Sequence, residues 1–362
     1  MINSADPPRA QWYWKSNSDS WSTNEKEEWT KYSDIESAII EEAFNEKKTK
    51  KLADLDNYLI NLNEYIQINK SDPNRQRQIK RVLITKNETQ GLREQRFFLP
   101  PGLSKTFNTA SRVDAYDFLS QWKKHMELSN AEIVEHAAKG IIIEGKQLDK
   151  HCESQYIARQ LLAVREKDRQ EIYRCCIKLY TMECFLYKLI NKALRENDTR
   201  KITTLGPFCY ILLRSWLNTK EKQTTTLYRG MNIDDNQLQS YQEATGQTRY
   251  WEGFTSTTKN HEKAQKFGNH LFIIDATRYG GIDISALSIY DEEEVLLPPG
   301  TKYKINKVDK NQPHTCIYLQ LWQWPPAALS LIHLLVTSSS SDEHCCDESE
   351  MSSGAIEHLG DG

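Results

Sequence analysis

The sequence predicts an α+β fold, and three observations carry the expectation. Apolar residues recur at spacings of three and four through residues 157–162 and 175–194, the mark of helices buried on one face. After residue 221 the pattern changes to β-branched and aromatic runs closed by turn residues, which reads as strands. The N-terminal third differs again, with four of the nine tryptophans in the first thirty residues. Helical and strand-rich stretches are therefore segregated along the chain, the pattern of an α+β protein.

The length of 362 residues suits two domains with connectors. The expected boundaries are a small domain at 1–90, a linker at 91–113 containing Phe97-Phe98-Leu99-Pro100-Pro101-Gly102, and a larger domain at 114–327. Within the larger domain, 114–220 reads as a helical subdomain and 221–327 as a β core. Residues 328–362 are rich in Ser, Asp and Glu and are expected to be disordered. The net charge of −3 argues against general or sequence-specific nucleic-acid binding, and the basic run Arg75-Gln76-Arg77-Gln78-Ile79-Lys80-Arg81 is local.

The eight cysteines form neither paired CxxC ligands nor a secreted disulfide framework, and several fall on apolar helical faces as buried thiols. His344-Cys345-Cys346 has no partner ligands at metal spacing, so no metal is expected. The start lacks the form of a signal peptide, and the apolar run 327–336 is too short to span a bilayer. The expected setting is intracellular, cytoplasmic or nuclear, away from membranes.

The chemistry concentrates in three segments. Asp291-Glu292-Glu293-Glu294-Val295-Leu296-Leu297-Pro298-Pro299-Gly300 runs acids into an apolar strand that Pro-Pro-Gly stops. Strand alternation would put Glu292 and Glu294 on one face and turn Glu293 away. Thr224-Thr225-Thr226-Leu227-Tyr228-Arg229-Gly230-Met231 reads as a strand delivering a guanidinium, whose planar fork suits phosphate or carboxylate. Trp251-Glu252-Gly253-Phe254-Thr255-Ser256-Thr257-Thr258-Lys259-Asn260 reads as an aromatic strand that becomes a hydroxyl cluster before a helical pattern at 261–267. Thr258 or Asn260 suits the cap of that helix.

In this order, Tyr-Arg-Gly, Phe-Thr-Ser-Thr-Thr and Glu-x-Glu before Val-Leu-Leu-Pro-Pro resemble the Arg-Ser-Glu class of mono-ADP-ribosyltransferases over residues 170–307. Tyr180-Thr181-Met182-Glu183 and the helical segment 186–195 extend the likeness. The resemblance implies a mixed β-sheet core that binds NAD, or NADP, as co-substrate. It implies that Glu294 bonds the ribose hydroxyl and favours an oxocarbenium-like ribose, the electrostatics of glycoside cleavage. Ser256 would keep Glu294 and the nicotinamide ribose in register, and Arg229 would bind the dinucleotide phosphates, with Gly230 and Thr257 beside them. Glu292 would align and deprotonate an acceptor guanidinium, which makes arginine the implied target. Phe267 would flank nicotinamide or simply pack on a helix face, and Tyr290 would stack on the acceptor or serve structure. The hydroxyl motif departs from the family's commoner Ser-Thr-Ser by having Thr258, which keeps the hydroxyl.

The N-terminal tryptophans sit among Arg and Lys, a composition suited to stacking on bases and pairing with phosphates. Trp12 or Trp14, Trp29 and Glu41 resemble the signature of the WWE domain, a half-barrel around one helix found in ubiquitin ligases and poly-ADP-ribose polymerases. In its polymer-binding members a Tyr, a Gln nine residues on and an Arg ten beyond form the pocket, a spacing that Tyr58, Gln67 and Arg77 match. The resemblance further implies that Trp29 stacks on adenine, while Asn17 stands near a position where binders have Arg and Lys86 is a candidate for a later Lys. The sequence therefore reads as an arginine-specific mono-ADP-ribosyltransferase with a module for ADP-ribose polymer, acting on arginine-containing acceptor proteins. The alternatives are an NAD glycohydrolase using the same site and a non-catalytic polymer reader.

Overall fold

The computed structural model describes residues 8–21, 24, 26–85, 122, 127–217, 226–277, 281–310 and 315–322. The expected linker at 91–113, Lys86, the apolar run 327–336 and the tail with His344-Cys345-Cys346 lie outside the described residues.

The first ninety residues contribute β1 (Arg9–Lys15), β2 (Trp29–Lys31), α1 (Asp34–Asn45), β3 (Leu52–Asp54), β4 (Tyr58–Asn61), β5 (Ile66–Asn69) and β6 (Gln76–Ile84). The strands pair antiparallel in the order β2-β1-β6-β5-β4-β3. Helix α1 starts where a capping box allows it: the Ser33 hydroxyl accepts from the Glu36 amide at 3.1 Å, and the Glu36 carboxylate accepts from the Ser33 amide at 2.9 Å. The helix buries Ile35, Ile40 and Ala43, and Ile40 and Ala43 join a core with Trp12, Leu55, Ile60 and Ile79.

Trp12 is fully buried, and its indole N–H donates to Glu41 Oε2 at 3.0 Å. Arg81 grips the same carboxylate in a fork, Nε to Oε2 at 2.9 Å and Nη2 to Oε1 at 2.7 Å. This resolves the choice between Trp12 and Trp14 in favour of Trp12. The contact ties β1, α1 and β6 into one unit.

Helices follow: α2 (Asn130–Gln147), α3 (His151–Ala163), α4 (Arg169–Thr181), α5 (Phe185–Glu196) and α6 (Ile202–Leu217). None among the described residues is long and apolar enough to cross a membrane. Cys176, Cys184 and Cys209 are buried and burial pushes their thiols up; Cys152 and Cys175 are half-buried, with thiols raised to about 11 by the same desolvation.

The last part holds β7 (Thr226–Met231), α7 (Asp235–Glu243), β8 (Thr248–Trp251), β9 (Thr255–Thr258), α8 (His261–Gln265), β10 (His270–Asp275), β11 (Ile282–Asp283), β12 (Glu294–Leu297), β13 (Thr301–Asp309) and β14 (Thr315–Leu321). The sheet runs β11-β12-β9-β7-β10-β14-β13-β8 and is mixed, since β10 and β14 are parallel while the other pairs are antiparallel.

One expected strand is broken. Residues 251–260 do not form a single strand: β8 pairs with β13 at one edge, and β9 lies between β12 and β7 near the other. The break falls at Gly253, where a Cβ would stand 2.9 Å from Asn191 Oδ1 on α5, and at Phe254, whose ring packs on Tyr180 of α4 at 5.5 Å. The helices thus dock where the chain changes position in the sheet.

The Glu41 cluster makes the N-terminal domain sensitive to acid. Burial pushes the Glu41 carboxyl up, but hydrogen bonds from Arg81, Trp12 and Asn45 outweigh it and hold the group below its ordinary value. A depressed carboxyl contributes stability that is fully present above its unfolded value and is lost as pH falls through the folded one. Acid titration followed by tryptophan fluorescence should show the domain weakening below the ordinary carboxylate range, and Glu41→Gln should lower stability at neutral pH while removing that component of the acid dependence.

Candidate active site

The antiparallel register of β9 and β12 sets the site. Glu294 lies across from Thr258, and Ser256 across from Leu296, so pleat alternation puts Ser256 and Glu294 on one face of the pair. Glu294 is fully buried, and Glu292 and Ser256 are each 2% exposed. Burying two carboxylates this deeply is costly unless charge or a ligand compensates.

The expectation that Glu292 and Glu294 go inward while Glu293 turns away holds in outcome and differs in cause. Strand β12 begins only at Glu294, and Glu293 precedes it in a left-handed conformation with φ 48°. That turn throws the Glu293 side chain outward, where Asn260 donates to it at 2.9 Å and Lys263 reaches it at 3.1 Å. Lys263 also pairs with Asp291 at 3.0 Å. The Asn260 hydrogen bond first, and Lys263 after it, hold the Glu293 carboxyl below its ordinary range. One lysine of α8 therefore serves both outer acids, while Glu292 and Glu294 are buried.

Thr258 supports the inner pair from behind. Its hydroxyl donates to the Glu292 carbonyl at 2.6 Å and accepts from the Asn260 amide at 3.0 Å. Asn260, not Thr258, caps α8, its side chain accepting from the Lys263 amide at 3.0 Å. The Thr257 hydroxyl donates to the Val295 carbonyl at 2.7 Å, which gives it a place in the β9–β12 pairing.

Arg229 is 5% exposed on β7 and donates to the Ser256 carbonyl at 2.5 Å. Burial lowers its guanidinium to about 10, still charged at neutral pH; Tyr241, Tyr180 and Glu294 favour the charge, and Arg195 of α5 opposes it. Arg195 is itself lowered by burial, and its Nε has no hydrogen-bond partner among the described residues. Two guanidiniums in one enclosed region suit a polyanion such as a diphosphate. The motifs did not single out Arg195, because it belongs to a helix distant in sequence from the strands.

Gly230 is required by packing. A Cβ there would lie 1.9 Å from the Ala264 carbonyl of α8 and 3.0 Å from Phe267 Cβ. Phe267 is 3% exposed in that contact; it lies in the turn just past α8, which ends at Gln265, so it packs in the core beside the helix and not on its face. Tyr290, one of the acceptor candidates, is 8% exposed and committed to the N-terminal domain: its hydroxyl donates to Asp34 at 2.8 Å and the Arg9 guanidinium lies 5.3 Å from its ring centre. These contacts give Tyr290 the structural role among its two readings.

In the N-terminal domain the register Gln67↔Arg77 and Tyr58↔Asn69 puts Tyr58, Gln67 and Arg77 on one face of three adjacent strands. The Tyr32 hydroxyl, missed in the spacing argument, donates to Gln67 at 2.6 Å. Arg77 donates to the carbonyls of Lys15 and Asn17 at 2.8 Å each and lies over Trp14 at 5.3 Å. Asn17 is buried and pins the 26–28 segment, donating to the Lys26 carbonyl at 2.9 Å and accepting from the Glu28 amide at 2.8 Å. Trp29 does not join these residues. It pairs with Lys15, and Lys80, on the opposite pleat of β6 from Arg77, sits 4.1 Å from its ring centre.

Sequence models of two families match the chain: the WWE domain at residues 10–81 and the NAD:arginine ADP-ribosyltransferase family at residues 150–323. No curated protein sequence matches it. Among solved structures, the type III effector XopAI from Xanthomonas axonopodis pv. citri is similar at 15% identity and TM-score 0.42, covering 58% of this chain and 95% of its own. Exoenzyme S from Pseudomonas aeruginosa, in complex with human 14-3-3 protein beta and bound to carba-NAD, is similar at 18% identity and TM-score 0.36, covering 53% and 88%. The Clostridium limosum C3 exoenzyme is similar at 17% identity and TM-score 0.36, covering 42% and 85%.

Two substitutions test the packing of the site. Thr258→Val should cost about 1 to 3 kcal/mol, the typical penalty for leaving a buried polar group unpaired, while Thr258→Ser should stay near wild type in thermal unfolding. Gly230→Ala should cost about 1 to 3 kcal/mol as an overpacked contact, and a stability unchanged from wild type would contradict the close approach of α8.

Proposed function

We propose that this chain, which matches the WWE domain at residues 10–81 and the NAD:arginine ADP-ribosyltransferase family at residues 150–323, transfers one ADP-ribose from NAD to the guanidinium of an acceptor arginine, releasing nicotinamide. The observation that carries the reading is the burial of Glu292 and Glu294 together, with Glu294 among the groups that favour the charge of Arg229. Each residue then has a task that its surroundings support.

Arg229, with Arg195 near it, receives the dinucleotide phosphates, a polyanion that two buried guanidiniums can grip through their planar forks. Ser256, on the same face as Glu294, positions the nicotinamide ribose. Glu294 stabilises the ribose as positive charge develops on breaking the bond to nicotinamide. Glu292 aligns the incoming guanidinium and takes its proton, a step needed because a protonated guanidinium is no nucleophile. Gly230, Thr257 and Phe267 shape the walls through packing and backbone contacts. NADP in place of NAD remains within this reading, which calls on no metal.

The WWE domain, in the same reading, binds ADP-ribose polymer through Tyr58, Gln67 and Arg77 and brings the transferase to proteins that carry it. The shared face of those three residues supports this. An intracellular setting follows as part of the proposal.

The decisive assay follows labelled NAD with agmatine, a free guanidine acceptor. We expect ADP-ribosyl-agmatine, abolished by Glu294→Ala. Free ADP-ribose alone would make the protein a glycohydrolase, and no turnover would leave a polymer reader. Glu292→Gln should lower agmatine transfer by about a hundredfold or more, the lower end of general-base contributions, while NAD cleavage persists; equal loss of both would remove Glu292 from the acceptor role. For the other domain, Tyr58→Ala should weaken binding to purified poly-ADP-ribose by about tenfold, the loss of one stacking contact, without changing agmatine transfer.

A further inference from the structure

We propose that Asp34, in the WWE domain, is a positioning residue for the acceptor side of the transferase site. The inference rests on the assignment of Glu292 above and adds to it a residue from outside the transferase domain.

Asp34 opens helix α1 and is 4% exposed. Its carboxylate collects donors from three places. Arg9 Nη1 of β1 donates to Oδ1 at 3.1 Å, the Glu183 backbone amide donates to Oδ2 at 2.6 Å, and the Tyr290 hydroxyl donates to Oδ2 at 2.8 Å. The Asp34 amide in turn donates to the Glu183 carbonyl at 3.1 Å. A buried carboxylate with donors on both oxygens has little freedom, since moving it strands charge in a low-dielectric region. Arg9 completes the clasp by lying over the Tyr290 ring.

What this clasp holds is the segment before β12. Tyr290 stands two residues ahead of Glu292, and its amide donates to the Ser288 hydroxyl at 3.2 Å. Beyond it the Glu292 carbonyl accepts from Thr258, and the Glu294 carbonyl accepts from the Ile284 amide at 3.0 Å. Glu292 is thus fixed from behind by the sheet and from ahead by Asp34 through Tyr290. A general base and aligner works only while its carboxylate keeps hydrogen-bond reach of the acceptor, so a loose segment costs transfer before it costs NAD binding. The same Asp34 holds Glu183 at the lead into α5, the helix that carries Arg195.

The test uses the full-length protein with NAD and agmatine and compares Asp34→Asn, Tyr290→Phe and the double variant. Tyr290→Phe removes a single hydroxyl and keeps the ring, so it carries the test alone if Asp34→Asn does not fold. The expected result is an approximately tenfold fall in the ratio of agmatine transfer to NAD hydrolysis, on the order of one charge-assisted hydrogen bond. It should appear in kcat, with KM for NAD unchanged, and the double variant should lose no more than Asp34→Asn alone. A wild-type ratio in Tyr290→Phe, or additive losses in the double variant, would overturn the proposal. If the wild-type protein turned over no NAD, the functional reading would fail while amide hydrogen exchange still decided the positioning claim. Faster exchange across 290–294 in Tyr290→Phe would support the tether, and unchanged exchange would overturn it.

Discussion

The antiparallel pairing of β9 with β12 is the constraint from which the site follows. It fixes Ser256 and Glu294 on one face, and it forces the chain entering β12 to turn sharply at Glu293. A left-handed residue without glycine carries a strain of about 1 kcal/mol or more, and here the surroundings hold it in place: Lys259 donates its amide to the Glu293 carbonyl at 3.2 Å, and Asn260 and Lys263 hold its side chain. The acidic run is sorted by that turn into an outer pair that shares Lys263 and an inner pair that is buried.

The buried acids and the buried arginine depend on each other. Arg229 alone in an apolar enclosure would be strongly disfavoured, and so would Glu294. Placing both near one another, with the phenols of Tyr180 and Tyr241 and the carbonyl of Ser256, lets the sheet keep charges where a dinucleotide can meet them. The helical part contributes Tyr180 and Arg195, so the site spans the sheet and the helices packed on it. The N-terminal domain has its own hub in Trp12, Glu41 and Arg81, which ties β1 and β6 to α1.

Much of this was legible before any coordinates. Arg229, Ser256, Glu292 and Glu294 stood out because strand-ending motifs place unusual charges beside glycine, hydroxyls and proline, and the structure brings all four into the buried region of β7, β9 and β12. Tyr58, Gln67 and Arg77 were implied by the resemblance to the polymer-binding WWE members, and the register puts them on one face. The misses share a cause. Residues 251–260 read as one strand because Gly253 is small for reasons that lie on α5, in Asn191. The structural partner of Tyr290 could not be named because nothing near it in sequence points to Asp34, 256 positions away. Trp29 looked like part of the pocket because composition does not say which pleat of the sheet a residue occupies.

The sequence by itself determined the α+β class, the succession of a Trp-rich module, a helical stretch and a strand-rich core, and the residue types able to do NAD chemistry. These are local properties, carried by periodicity and by motifs that each fit within one element. Only the tertiary structure decided that Glu293 would take a left-handed turn and meet Lys263, that Arg195 would approach Arg229, and that Asp34 would clasp Tyr290. Those outcomes depend on which elements come to lie beside one another, and burial gives a charge its strength only once the partner from a distant segment has arrived.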